Sequence, residues 1–210
     1  MITHLMAVLM SAGVLGSGAL PARAMSSGVL DGPALWFANR GTGFVLLVLL
    51  TLSTALGVLS TARVSPRLWP RMLTQGLHRN VSLLAVTFLA AHVVTAVVDT
   101  FVDIRWYDAF VPFGGRYMPL WLGFGAVALD LLIAVTATSL LRHRMSHRPW
   151  RVVHVLAYGA WGMGLLHGVK MGTDASTDWG SLINYGCIAV VLAAVVARLG
   201  LVVRPKLAIA

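Results

Sequence analysis

Apolar residues run along this chain in long stretches separated by short polar connections, and six such stretches predict its elements. The first, residues 2–20, is apolar but Gly-rich, and Pro-Ala-Arg-Ala follows it. It predicts either a spanning helix or a signal segment. Ala22-Arg23-Ala24 resembles a small-x-small cleavage site, whereas the first residues lack the Lys or Arg that a signal normally carries. Residues 1–24 are one unit on either reading. Ser26 to Pro33 is a polar connection containing Gly and Pro. Further spans are expected at Thr42–Leu59, entered through Trp36, Phe37 and Arg40, and at His78–Val98, Leu120–Leu141, Val152–Val169 and Leu182–Val203. Several approach or exceed the roughly 18 apolar residues that suggest a membrane-crossing helix. The expected fold is an all-α membrane protein. It is a six-span helical bundle, or five spans if 1–24 is removed, with its main domain over 35–203 and a short tail at 204–210.

Composition agrees with the pattern. The 210 residues are 58% hydrophobic and 11% charged, with a mean hydropathy of +0.83; soluble domains average about 25% charged residues. A net charge of +9 would suit nucleic acid, but its placement argues otherwise. Arg63, Arg67, Arg71, Arg79, Arg142, Arg144, Arg148, Arg151, Arg198, Arg204 and Lys206 all fall on one side of the expected bundle, with no acid among them. The other side holds Arg23, Arg40, Arg105, Arg116 and Lys170 together with six aspartates. This is the positive-inside pattern of a multi-pass protein of the cell membrane, with the C-terminus cytoplasmic and no nucleic-acid partner. The single cysteine, Cys187, lies in an apolar run, which leaves no intramolecular disulfide and no Cys-x-x-Cys motif. No Gly-rich phosphate loop or dinucleotide fingerprint is present, so the chain is expected to bring no flavin or nicotinamide domain.

Four histidines change the picture. His78 and His92 are 14 positions apart in one span, and His154 and His167 are 13 apart in another. Both separations come to roughly 20 Å along a helix, about two-thirds of a ~30 Å hydrocarbon core. The charge-derived topology runs both spans from inside to outside, so His78 and His154 share an inner depth and His92 and His167 an outer one. A single histidine in an apolar helix is more often a hydrogen-bonded packing residue than a ligand. Four of them at two matched depths instead predict two metal centres held by neutral imidazoles, as in a membrane cytochrome with two haems. One point resists. Fourteen steps of ~100° leave His78 and His92 on one face, but thirteen leave His154 and His167 about 140° apart. A bend or local unwinding at Gly159, Gly162, Gly164 and Gly168, or a lateral offset of the two centres, would reconcile them.

Arg-Pro-Trp-Arg-Val-Val-His (148–154), Tyr158 and His167-Gly168 resemble the fifth helix of the ferric-reductase-like transmembrane domain. That superfamily includes ferric reductases, NADPH oxidases and the haem subunit of a periplasmic methionine sulfoxide reductase system. The spacings His78-x13-His92 and His154-x12-His167, Trp36 to Gly43, and Pro112 to Trp121 are similar to its members, over about residues 35–203. The resemblance implies two b haems, one on His78 and His154 and the other on His92 and His167. It implies electron transfer from a cytoplasmic donor to an external acceptor such as ferric iron, oxygen or a periplasmic protein. Unlike the oxidases, this sequence has no FAD/NADPH domain before Ala210. Flavin (FMN or FAD) is therefore expected on a separate flavoprotein reductase, with a membrane quinol as the other donor. The alternatives are a haem subunit of a two-component periplasmic reductase, a quinol-linked cytochrome b, and, from another class, a transporter or haem-free metal protein.

Haem carboxylates need donors near each face. Inner candidates are Arg67, Arg71, Arg79 and Arg151; outer candidates are Arg40, Arg105, Arg116 and Lys170. Arg40 stands out because it sits at a helix entrance on the less basic side. His143 and His147 lie in a basic loop that reads as a solvated face, and Met163 and Met171 read as packing. Asp130 is a mid-span acid costing about 2.5–3.5 kcal/mol on insertion scales. It is expected either to be protonated and paired with a hydroxyl such as Thr136 or Thr87, or to hydrogen-bond a ligand imidazole.

Overall fold

The computed structural model describes residues 33–60, 71–99 and 101–207, with side chains placed up to 200. The segment 1–24, Arg63, Arg67, the Arg71 side chain and the 204–210 side chains lie outside the described residues. Among those described, every regular element is helical: α1 Pro33–Ser60, α2 Arg71–Val98, α3 Trp106–Phe110, α4 Pro119–Leu140, α5 His147–Met171 and α6 Asp178–Leu207. A 3₁₀ turn at Arg142–Arg144 links α4 to α5. All except α3 are long and apolar enough to cross a membrane. At ~1.5 Å per residue even the 22 residues of α4 reach about 33 Å. The chain is a multi-pass membrane protein. In hydrocarbon, a helix satisfies its own backbone, which is why apolar runs with weak capping suffice here.

The helices begin earlier than hydropathy alone predicts. Pro33 opens α1, where a missing N–H costs nothing, so Trp36, Phe37, Asn39 and Arg40 all lie inside the helix. Pro119 opens α4 in the same way, after Met118 in a left-handed conformation. Pro149 sits in the first turn of α5, where proline is still tolerated. Asp178 lies in the first turn of α6, a favourable place for an anion. In the loop before α4, the Asp108 carboxylate accepts from the Arg105 N–H at 3.0 Å and starts the short α3.

Packing divides the bundle in two. α1 is the hub: it packs on α2 and α6, while α4 packs on α5 and α3. Contact between α1 and α5 joins the halves. Small residues such as Ala55, Val58 and Ala194 form the buried centre around α1, and Thr51 is 2% exposed. By contrast α2 and α5, which carry the four histidines, bury the smallest share of their residues and do not pack closely on each other. α5 runs as one uninterrupted α-helix through all four of its glycines, so local unwinding is not how its two histidines reach their partners.

Candidate functional site: two imidazole pairs

Between α2 and α5 the histidines meet at two levels. His78 and His154 lie at the arginine-rich end with ring centroids 6.1 Å apart and planes at 74°. His92 and His167 lie toward the end that carries α3, 6.4 Å apart at 87°. Each half of the bundle gives one ring to each pair.

The rings are held from behind. The Nδ1 of His78 lies 3.0 Å from the Ser53 carbonyl, that of His92 is 3.0 Å from the Asn39 carbonyl, and that of His167 is 2.9 Å from the Trp121 carbonyl. A carbonyl only accepts, so in all three the proton is on Nδ1, and Nε2 carries the free lone pair. His154 is held differently, with Nδ1 3.4 Å from the Ser139 hydroxyl. Side chains reinforce these anchors. Asn39 donates to the His92 carbonyl at 2.8 Å and to Thr95 at 3.2 Å, and the Ser53 and Ser82 hydroxyls pair at 2.6 Å.

A repeated device makes those carbonyls reachable. Four residues after Asn39, Ser53 and Trp121 come Gly43, Gly57 and Gly125. In a helix the residue at i+4 sits over the carbonyl of residue i, and a glycine there leaves the second lone pair uncovered. A Cβ at Gly125 would lie 2.6 Å from the His167 Nδ1, one at Gly43 3.1 Å from the His92 ring, and one at Gly57 3.5 Å from the His78 ring. This pattern is legible in the sequence, because Asn39-to-Ser53 and Gly43-to-Gly57 repeat the 14-residue step of His78-to-His92. Only the structure draws it out.

Two imidazoles bound to opposite sides of one metal have a defined separation. With about 2.0 Å from metal to nitrogen and about 1.1 Å from nitrogen to ring centre, the centroids lie about 6.2 Å apart. The observed 6.1 and 6.4 Å match that span. Among the described residues, no group of three or more His, Cys, Asp or Glu side chains is placed to hold a bare metal ion. Each level brings two imidazoles together and, among the described residues, no third side chain of these types.

Polar atoms without partners lie near both ends. Arg40 pairs with Asp174 at 2.5 Å, hydrogen-bonds Thr173 and lies over the Trp36 ring at 4.4 Å, yet its Nη2 is buried with no partner. At the arginine-rich end the Trp150 Nε1 is likewise buried and unpartnered. A buried donor left unmade costs about 1–3 kcal/mol. Midway along α5, Trp161 donates to Thr51 at 2.9 Å and so pins α5 to α1 between the two pairs.

The model of a family described as Domain of unknown function (DUF8596) matches residues 34–174. The chain belongs to that family. The match runs from the first turn of α1 to Asp174, so it includes all four histidines, the three anchoring carbonyls and both partners of the Arg40 ion pair. No curated protein and no solved structure matches the chain.

The other candidates of this DUF8596 chain are scattered. Arg79 and Arg151 are exposed at the arginine-rich end and make no hydrogen bond or ion pair among the described residues. Arg116 is exposed, Arg105 bonds Tyr107 at 2.5 Å and lies 3.6 Å from Asp103, and Lys170 lies over the Trp121 ring. His143 and His147 are exposed. Asp130 requires a correction. It lies roughly 160° around α4 from the line of Trp121, Gly125 and Ser139, and the Nδ1 of each of the four paired histidines takes another partner. Asp130 therefore orients no imidazole. Nor does it pair with Thr87, whose hydroxyl donates to the Leu83 carbonyl at 3.2 Å, or with Thr136 on the histidine side of α4. Trp150 and Trp161 are the residues that sequence reasoning passed over.

Proposed function

We propose that the protein is a ferric-reductase-like transmembrane electron conduit that binds two b-type haems, the inner on His78 and His154 and the outer on His92 and His167. One observation carries this reading. Two imidazole pairs, each at the separation of axial ligands on one metal, bridge helices that otherwise do not pack together. A tetrapyrrole brings four equatorial nitrogens and needs two protein ligands, whereas a bare ion would need a larger cluster of side chains. That favours the haem reading over a transporter or a haem-free metal site.

Held by His78 with His154, or by His92 with His167, such a group would supply single-electron exchange, with both protein-ligand positions taken by imidazole rather than by oxygen or substrate. The chain's own residues do the rest. Ser53, Asn39 and Trp121 fix three imidazole tautomers from their carbonyls, Ser139 supports the fourth, and Arg40 offers its free Nη2 to an outer carboxylate. Trp161 places an aromatic ring between the two levels. The charge pattern of the sequence, basic in the connections after the first and third described spans, supports a cytoplasmic C-terminus. Outward electron flow is then favoured by about 2.3 kcal/mol per 100 mV of membrane potential. The donor is a cytoplasmic flavoprotein or a membrane quinol, and the acceptor is external: ferric iron, oxygen or a periplasmic protein.

The test is sided electron transfer in vesicles, with an NADPH–flavin reductase system at the arginine-rich face and a ferric chelate on the other. Chelate reduction should require both the reductase and the protein, should slow with rising ionic strength as a charged docking face dictates, and should stop in His92→Ala. Equal rates with and without the protein would overturn the reading. Quinol as sole effective donor would move it to the quinol-linked form.

A further inference from the structure

Trp150 is the most unusual residue at the inner level. Its indole stacks on the His154 imidazole with centroids 4.8 Å apart and planes 22° from parallel. The guanidinium of Arg142 lies 4.5 Å from its centroid. Its Nε1–H is buried and has no partner, although indole N–H is a donor only and buried indoles usually find an acceptor. The surroundings define what is missing. The adjoining turn and the start of α5 are basic, with Arg142, Arg144, Arg148 and Arg151 and no acid. The α5 N-terminus adds a positive dipole end. The absent acceptor is therefore an anion. Stacked on the His154 imidazole, the indole would offer its N–H to an anionic group carried by whatever that imidazole holds.

We propose that Trp150 is a cofactor-binding residue of the inner site, stacking on His154 and donating its indole N–H to a carboxylate of the haem. This rests on the two-haem reading. An anionic lipid headgroup has similar chemistry, and the two sources are separable because only one belongs to the haem.

The experiment reconstitutes full-length apo-protein, wild type and Trp150→Phe, with haem b and with haem b dimethyl ester, whose carboxylates are blocked. Phenylalanine keeps the stack and removes the N–H. With haem b, Trp150→Phe should release haem about tenfold more readily than wild type, and from the site that His154→Ala also empties. The potential of that site should fall, since an unbonded carboxylate favours ferric iron. With the dimethyl ester, whose neutral carbonyls accept a hydrogen bond only about half as strong, the difference should shrink to about threefold or less, and uptake of the ester also shows that the variant folds. Equal retention of haem b by both proteins would overturn the proposal. So would a Trp150→Phe defect undiminished with the ester, the result expected of a lipid contact or a structural role. Wild-type protein that takes up no haem would overturn the two-haem reading itself, and this proposal with it.

Discussion

The geometry of each imidazole is set by what it leans on, and this is testable residue by residue. At Gly125 a Cβ would press on the His167 Nδ1 at 2.6 Å, whereas at Gly57 it would meet the His78 ring at an ordinary 3.5 Å. Gly125→Ala should displace His167 from the Trp121 carbonyl and drop haem content toward one per chain. Gly57→Ala should keep both haems, with helix propensity even gaining about 1 kcal/mol. Haem-to-protein ratios of the two variants, measured side by side, check the contrast; equal behaviour would contradict it. The histidines were legible in the sequence because an ionisable group in an apolar run is conspicuous. Their anchors were not, because a backbone carbonyl leaves no trace in residue type, and only the glycine four positions later marks it. Trp150 was hidden for another reason: a missing hydrogen-bond partner exists only in three dimensions. The face of Asp130 was readable by the ~100° rule, which separates it from Gly125 and Ser139 without a structure.

Among elements, hydropathy placed five of the described helices, and it erred at their starts. Asn39 and Arg40 are polar, so a hydropathy reading begins the span at Thr42, but Pro33 begins the helix and carries both residues to the outer histidine level. Depth pairing was readable because one spanning helix, α4, separates α2 from α5, so the two histidine helices run in the same direction. Which helices pack was not, since in a membrane an apolar helix face suits lipid or protein equally. The weak mutual packing of α2 and α5 has a thermodynamic consequence. A group bridging them binds the folded bundle and not the unfolded chain, stabilising it by about 2.7 kcal/mol at a hundredfold excess over Kd. At about 2–4 °C per kcal/mol for a chain of this length, haem-depleted protein should melt some 5–10 °C lower than haem-replete protein. Thermal unfolding of material from haem-starved and haem-supplemented cells measures this; coincident melting curves would mean that nothing bridges the gap.

For the whole molecule, the two halves of the bundle behave as jaws, each giving one histidine to each level and joined through α1, Trp161–Thr51 and Arg40–Asp174. On the proposed reading, two redox centres roughly 20 Å apart along the helices would make a path across most of a membrane, which is what would distinguish a conduit from a one-centre sensor or store. Everything in the account depends on both levels being filled. The most direct measurement is the pyridine haemochrome assay on purified full-length protein against its protein concentration, with the optical spectrum of the same sample. The account predicts two b haems per chain, both six-coordinate and low-spin. A ratio near one, or no haem at all, would contradict it.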